Sequence, residues 1–182
     1  MELGEGETLA ARLKRGPLPM NTALSYACQI AATLAEAHAR DIVHRDLKPG
    51  TLMVARSSIK ILDFGLAKSG QDQTVNRQPH GDGHARLQAP EQREGKPPDA
   101  RTDMYTFGCV LYEMLAGARL ALPRRRLSSR KLERIVSRCL EEDPGRRWQS
   151  APSCKGPWRR SRRRDARLPW RLLPARFWCY PR

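Results

Sequence analysis

The chain contains no Cys-x-x-Cys pair: its five cysteines stand singly at 28, 109, 139, 154 and 179, none with a histidine at metal-ligand spacing. That pattern argues against a structural zinc site. Residues 28, 109 and 139 fall in apolar helical patterns, where cysteine behaves as a small buried hydrophobe, so a reduced, cytoplasmic setting is expected. Long apolar runs are missing too. The uncharged stretch 16–35 is broken by Gly16, Pro17, Pro19, Asn21 and Gln29, which suits a buried helix rather than a membrane span. Met1-Glu2 is followed by neither a basic region nor an apolar run, so no secretory signal is expected. Acidic side chains are few, 19 against 34 Lys and Arg, for a net charge of +15. Spread over the fold, such charge would point to nucleic acid or an anionic membrane. It is concentrated instead. Residues 151–182 hold ten basic side chains against Asp165 alone, a net +9, which leaves +6 on everything before them.

Two strings near the middle carry chemistry. His44-Arg45-Asp46-Leu47-Lys48-Pro49 is followed, after a hairpin-like stretch, by Asp63-Phe64-Gly65, and later by Ala89-Pro90-Glu91. Each triplet alone is weak; their order and context make the set specific. Together they resemble the catalytic loop, metal-binding turn and activation-segment closure of serine/threonine protein kinases, in the bacterial eukaryotic-like flavour. The resemblance continues through residues 101–115 and 139–144. It implies a mainly α fold: the C-terminal lobe of a kinase domain over residues 1–150, with short β-hairpins at the active-site cleft. A disordered basic tail is expected over 151–182, where Pro152, Pro157, Pro169, Pro174 and Pro181 interrupt any period.

The family's N-terminal lobe, with its glycine-rich loop and strand lysine, has no counterpart in the 182 residues, so a truncated domain is expected. Gly4-x-Gly6 is not that loop, because no strand precedes it and Leu9 stands where a third glycine belongs. Residues 1–6 resemble instead the segment joining the two lobes.

Hydrophobic spacing predicts the elements. Thr8 caps a short helix to Arg15, and a longer helix runs from about Thr22 to Arg40 through Tyr26, Ile30, Leu34 and Ala37. On it, His38 reads as a surface or packing residue. Ile42-Val43 is expected as a short strand, and residues 52–54 and 59–62 as a hairpin. A helix starting at Thr102 or Asp103 and stopped by Gly117 is apolar nearly all round, so it belongs at the centre of the fold. Leu132, Ile135, Val136, Cys139 and Leu140 mark a last helix, begun at Ser128 or Ser129 and ended by Pro144. Between these two the chain is shorter than in related kinases.

By resemblance, Asp46 would orient the attacking hydroxyl, Lys48 would reach the transferred phosphate, and Asp63 would chelate Mg²⁺. Thr51 stands where the family has a metal-binding Asn, as a weaker ligand to the metal. ATP would be held by Glu2 and Gly4 of the linker, Met53, Lys48 and Asp63. Asp103 would anchor the His44 and Phe64 column, and Glu91 would pair with Arg147. His84 replaces a threonine that bridges Asp46 and Lys48, and Leu87 an aromatic residue. Loss of one good electrostatic element commonly costs about a hundredfold in rate. The expected function is therefore ATP-dependent phosphorylation of a protein Ser or Thr, impaired or absent in this chain alone. The rival reading is a non-catalytic lobe that docks a partner kinase, or itself, through an exposed cleft. Nucleic-acid binding by the Arg/Trp-rich tail is a weaker alternative, since the tail has no fold to support it.

Overall fold

The computed structural model describes residues 6–55, 58–62, 87–121 and 124–151. In chain order these form β1 (Glu7–Thr8), α1 (Leu9–Leu13), α2 (Met20–His38), β2 (Leu52–Ala55), β3 (Ser58–Ile61), α3 (Pro90–Arg93), α4 (Ala100–Ala116) and α5 (Arg130–Cys139). Single 3₁₀ turns lie at Pro49–Thr51 and Pro144–Arg146.

Local chemistry sets most of these boundaries. The Thr8 hydroxyl accepts from the Ala11 N–H at 3.1 Å and starts α1. α2 begins at Met20, directly behind Pro19, and ends at His38. α4 starts at Ala100 because the Asp99 carboxylate accepts from the Arg101 N–H at 2.7 Å. It stops at Gly117, whose φ of 65° is left-handed and whose missing Cβ would otherwise meet the Pro17 ring at 2.5 Å. The Ser129 hydroxyl caps α5. This helix ends at Cys139, ahead of Pro144, and the carbonyls just beyond it, of Glu141 and Glu142, accept from the Arg147 guanidinium at 2.7 and 2.9 Å.

Ile42-Val43 is not a strand. Asp41 is left-handed at φ 57°, and the Ile42 N–H turns back to the Ala37 carbonyl at 3.0 Å to close the end of α2. Among the described residues this pair has no ladder partner. The hairpin does form, with Met53 opposite Lys60 and Val54 opposite Ile59, and β1 adds a third antiparallel strand with Thr8 opposite Met53.

α4 occupies the centre, as its all-round apolar surface requires: Met104, Phe107, Val110, Leu111 and Met114 are all fully buried. Tyr26, Ile30 and Leu34 of α2 and Leu132, Ile135 and Val136 of α5 belong to the same core. α5 sits so close to α4 that a Cβ on Gly108 would lie 2.4 Å from the Cys139 Cβ. Cys109 and Cys139 are buried, and burial pushes the Cys109 thiol up to about 12. Ala151 is also fully buried in this core.

Candidate active site

The loop between α2 and β2 is organised by one carboxylate. Asp103, in the first turn of α4, has no solvent exposure. Its Oδ2 accepts from the His44 N–H at 2.8 Å and lies 2.8 Å from His38 Nε2; its Oδ1 accepts from the Arg45 N–H at 2.9 Å. Three bonds to the charged form are what a buried carboxylate requires. Arg45 takes φ 71°, an unusual backbone state for a side-chain-bearing residue. It is held there from both sides, since its carbonyl accepts from Gln92 Nε2 at 2.9 Å. Gln92 Oε1 accepts in turn from the Ala89 N–H at 3.1 Å, so α3 and the loop are tied together. The imidazole of His44 lies buried, with Nε2 3.2 Å from the Leu62 carbonyl oxygen.

On this frame stand Asp46 and Lys48. Lys48 Nζ lies 2.7 Å from Asp46 Oδ2, with the ammonium half-buried and the carboxylate open to solvent. Thr51 fixes the turn after them: its hydroxyl accepts from the Lys48 N–H at 3.1 Å and donates to the Lys48 carbonyl at 2.9 Å. That hydroxyl faces inward and keeps one lone pair. Met53 is half-buried on β2, opposite Thr8. Glu2, Gly4, Asp63, Phe64 and His84 lie outside the described residues. Beside Lys48 and Gly50 opens a cleft of about 340 Å³, lined also by Leu13, Leu87, Glu113 and Arg119. Glu113 is buried, its Oε1 has no hydrogen-bond partner, and burial raises its carboxyl above the usual range while Arg119 partly offsets the shift.

A second brace lies behind α3. Arg147 is fully buried and grips Glu91 through two parallel bonds, at 2.7 and 2.8 Å. The Thr102 hydroxyl donates to the same carboxylate at 2.8 Å. Burial alone would raise the Glu91 carboxyl, but the bonds from Arg147 and Thr102 overcome it and hold it below the usual range.

The loop thus presents an exposed carboxylate and an ammonium at ion-pair distance on a pinned backbone. The chain belongs to the protein kinase family, in the bacterial eukaryotic-like serine/threonine group: the protein kinase domain matches residues 1–159. A probable serine/threonine-protein kinase of Clostridium acetobutylicum is 37% identical over 173 residues, which cover 83% of this chain and 26% of that protein. The serine/threonine-protein kinase PknA of Corynebacterium glutamicum is 37% identical over 167 residues, 81% of this chain and 36% of its own length. This chain thus spans about a quarter to a third of these curated relatives. The crystal structure of the Mycobacterium tuberculosis PknI kinase domain shares the fold, with a TM-score of 0.66 at 23% identity over 88% of this chain and 63% of that one.

Two residues at the site were not assigned a role from sequence, and a third, His38, was read only as a surface or packing residue. His38 is buried on Asp103, Gln92 clamps the Arg45 carbonyl, and Glu113 faces the cleft. Only Glu113 left a signal, as the one charged residue between Asp103 and Arg119.

Proposed function

We propose that this chain is the C-terminal-lobe portion of a serine/threonine protein kinase domain, mainly α, which moves the ATP γ-phosphoryl group to a protein Ser or Thr. The observation that carries this reading is the Asp46–Lys48 pair, held at 2.7 Å on a loop whose backbone is fixed by Asp103. Asp46 orients the acceptor hydroxyl and holds its proton toward the free carboxylate oxygen. Lys48 sets its ammonium against charge on the transferred group. Gln92 and Asp103 keep the loop from relaxing out of the left-handed turn at Arg45.

Among the described residues no group of three His, Cys, Asp or Glu could hold a metal. That is compatible with Mg²⁺, which is typically bound through one or two carboxylates plus substrate phosphates. By resemblance to the family, Asp63 would supply the carboxylate and the Thr51 hydroxyl would be a weak further ligand; bound Mg²⁺ would neutralise the phosphate charge. By resemblance to the family, Glu2, Gly4 and Met53 would hold the adenine side. A cytoplasmic place is supported by the absence of a disulfide among the described cysteines, 28, 109 and 139; no helix among the described residues is long and apolar enough to cross a membrane.

On their own the 182 residues carry no glycine-rich loop and no strand lysine ahead of the linker, so transfer by this chain alone is slow. Radiolabelled Mg-ATP with a generic protein acceptor tests the reading. Transfer should fall far below the roughly 1–100 per second usual for kinases, and Asp46→Ala should remove what remains. Transfer at ordinary rates, or a residue that survives Asp46→Ala, would overturn it. If Asp46 proves dispensable for every property of the chain, a docking lobe for a partner kinase becomes the better reading.

A further inference from the structure

A second cleft lies at the far end of the central helix. Asp103 and Leu115 are twelve residues apart on α4, about 18 Å at helical rise, so this cleft is separate from the catalytic loop. Its volume is about 270 Å³, lined by Leu115 and Ala116 from α4, Leu127 just ahead of α5, Leu132 in its first turn, and Met20 from α2. Met20 is 39% exposed, one of three large hydrophobics that face solvent among the described residues. The rim carries Arg125, Arg126 and Ser128, all exposed, and no acidic residue lines the cleft.

The two arginines are available and their backbone is fixed. Arg124, beside them, pairs with Glu133 at 2.7 Å, and Glu133 also accepts from the Leu127 N–H at 2.9 Å, so the nearest carboxylate is engaged. The Arg125 N–H donates to the Tyr112 hydroxyl at 3.0 Å. Neither Arg125 nor Arg126 has an ion-pair partner among the described residues. The cleft lies just below the size of pockets for drug-sized molecules, roughly 300–1,000 Å³, so it suits one or two side chains rather than a whole cofactor.

We propose that this cleft docks an acidic linear segment of a partner protein. An aliphatic or aromatic side chain of that segment seats on Leu115 and Leu132, and carboxylates on either side of it meet Arg125 and Arg126. Guanidinium forks match carboxylates in paired hydrogen bonds, and an apolar floor raises the strength of charge pairs at its edge. Charge selects the occupant. The chain's own tail carries +9 and the whole chain +15, so the tail and a second copy are repelled where an acidic segment is attracted and steered.

Fluorescence anisotropy with the full chain tests this, using three labelled peptides: Glu/Asp alternating with Leu/Phe, Glu alone, and Lys alternating with Leu. Only the first should bind. Its affinity should fall by about tenfold or more in the double charge reversal Arg125→Glu, Arg126→Glu, and several-fold on raising salt. Met20→Asp should weaken it as well; all three positions are exposed, and an unchanged melting midpoint confirms that each variant folds. Equal binding of the Glu-only peptide, indifference to the charge reversal, or no binding at millimolar peptide would overturn the proposal. So would a dimer in sedimentation that the charge reversal dissolves, since the occupant would then be a second copy.

Discussion

Asp103→Asn is the most informative single change, because it preserves shape while altering one set of donors and acceptors. The native carboxylate serves the His44 N–H and His38 Nε2 on one oxygen and the Arg45 N–H on the other. In the variant the amide oxygen can keep Arg45, but the amide nitrogen then faces the other two. His38 can adapt by moving its ring proton to Nδ1, which has no partner in the native fold. The His44 peptide N–H cannot adapt and is left unsatisfied, at about 1–3 kcal/mol. The bond to Arg45 also loses its charge assistance, which removes about 1 kcal/mol more. Together the variant should lose roughly 2–4 kcal/mol, and at about 2–4 °C per kcal/mol for a domain of this size its midpoint should fall by roughly 5–15 °C. Urea unfolding measures the energy, and amide exchange at residues 44 and 45 shows whether the loop has loosened. A change under about 0.5 kcal/mol with unaltered exchange would refute the claim that Asp103 holds the catalytic loop.

Glu91→Gln should cost about 3–5 kcal/mol in the same assay, because it leaves Arg147 buried without its charge partner. Since the folded Glu91 carboxyl is lowered, its contribution is present above its ordinary value of 4.5 and is lost as pH falls through the folded value. The Gln variant should show a flatter acid limb; an unchanged limb would count against the brace. Glu113 has the opposite sign. Its raised carboxyl favours the fold fully below 4.5, and that advantage is lost as pH rises through the folded value, so Glu113→Gln should be more stable than the native chain at neutral pH. A loss of stability on that change would mean the buried carboxylate has a partner. Gly108→Ala should destabilise by about 1–3 kcal/mol through overpacking, since the added methyl meets Cys139; a neutral result would argue against the close approach of α4 and α5.

Long periodic segments were the legible part. The apolar faces of α2, α4 and α5 were readable from their spacing, and the caps at Thr8 of α1, Gly117 of α4 and Ser129 of α5 followed from ordinary terminus chemistry. The Asp103 anchor and the Glu91–Arg147 pair were readable only through the resemblance, because nothing local in the chain connects residues 56 positions apart. Short elements misled. Ile42-Val43 has the composition of a strand, but the closing turn of α2 takes its backbone, while Glu7-Thr8 has no period and still pairs with β2. His38 was read as a surface or packing residue, but its partner was not legible, because Asp103 lies 65 residues away. Met53, Thr51, Lys48 and Asp46 fall within one continuous segment that the structure describes, while the residues expected to complete the nucleotide site, Glu2, Gly4 and Asp63, lie outside it.

The central proposal is that Asp46 and Lys48 of this chain serve phosphoryl transfer once a nucleotide-covering segment stands ahead of Gly6. It is tested most directly by joining the glycine-rich and strand-lysine segment of a similar bacterial kinase ahead of Gly6 and measuring single-turnover phosphate transfer from Mg-ATP. The account predicts transfer by the chimera at a rate well above that of the chain alone, abolished by Asp46→Ala and strongly reduced by Lys48→Ala. A chimera that binds ATP yet transfers nothing, or one whose transfer survives Asp46→Ala, would contradict it.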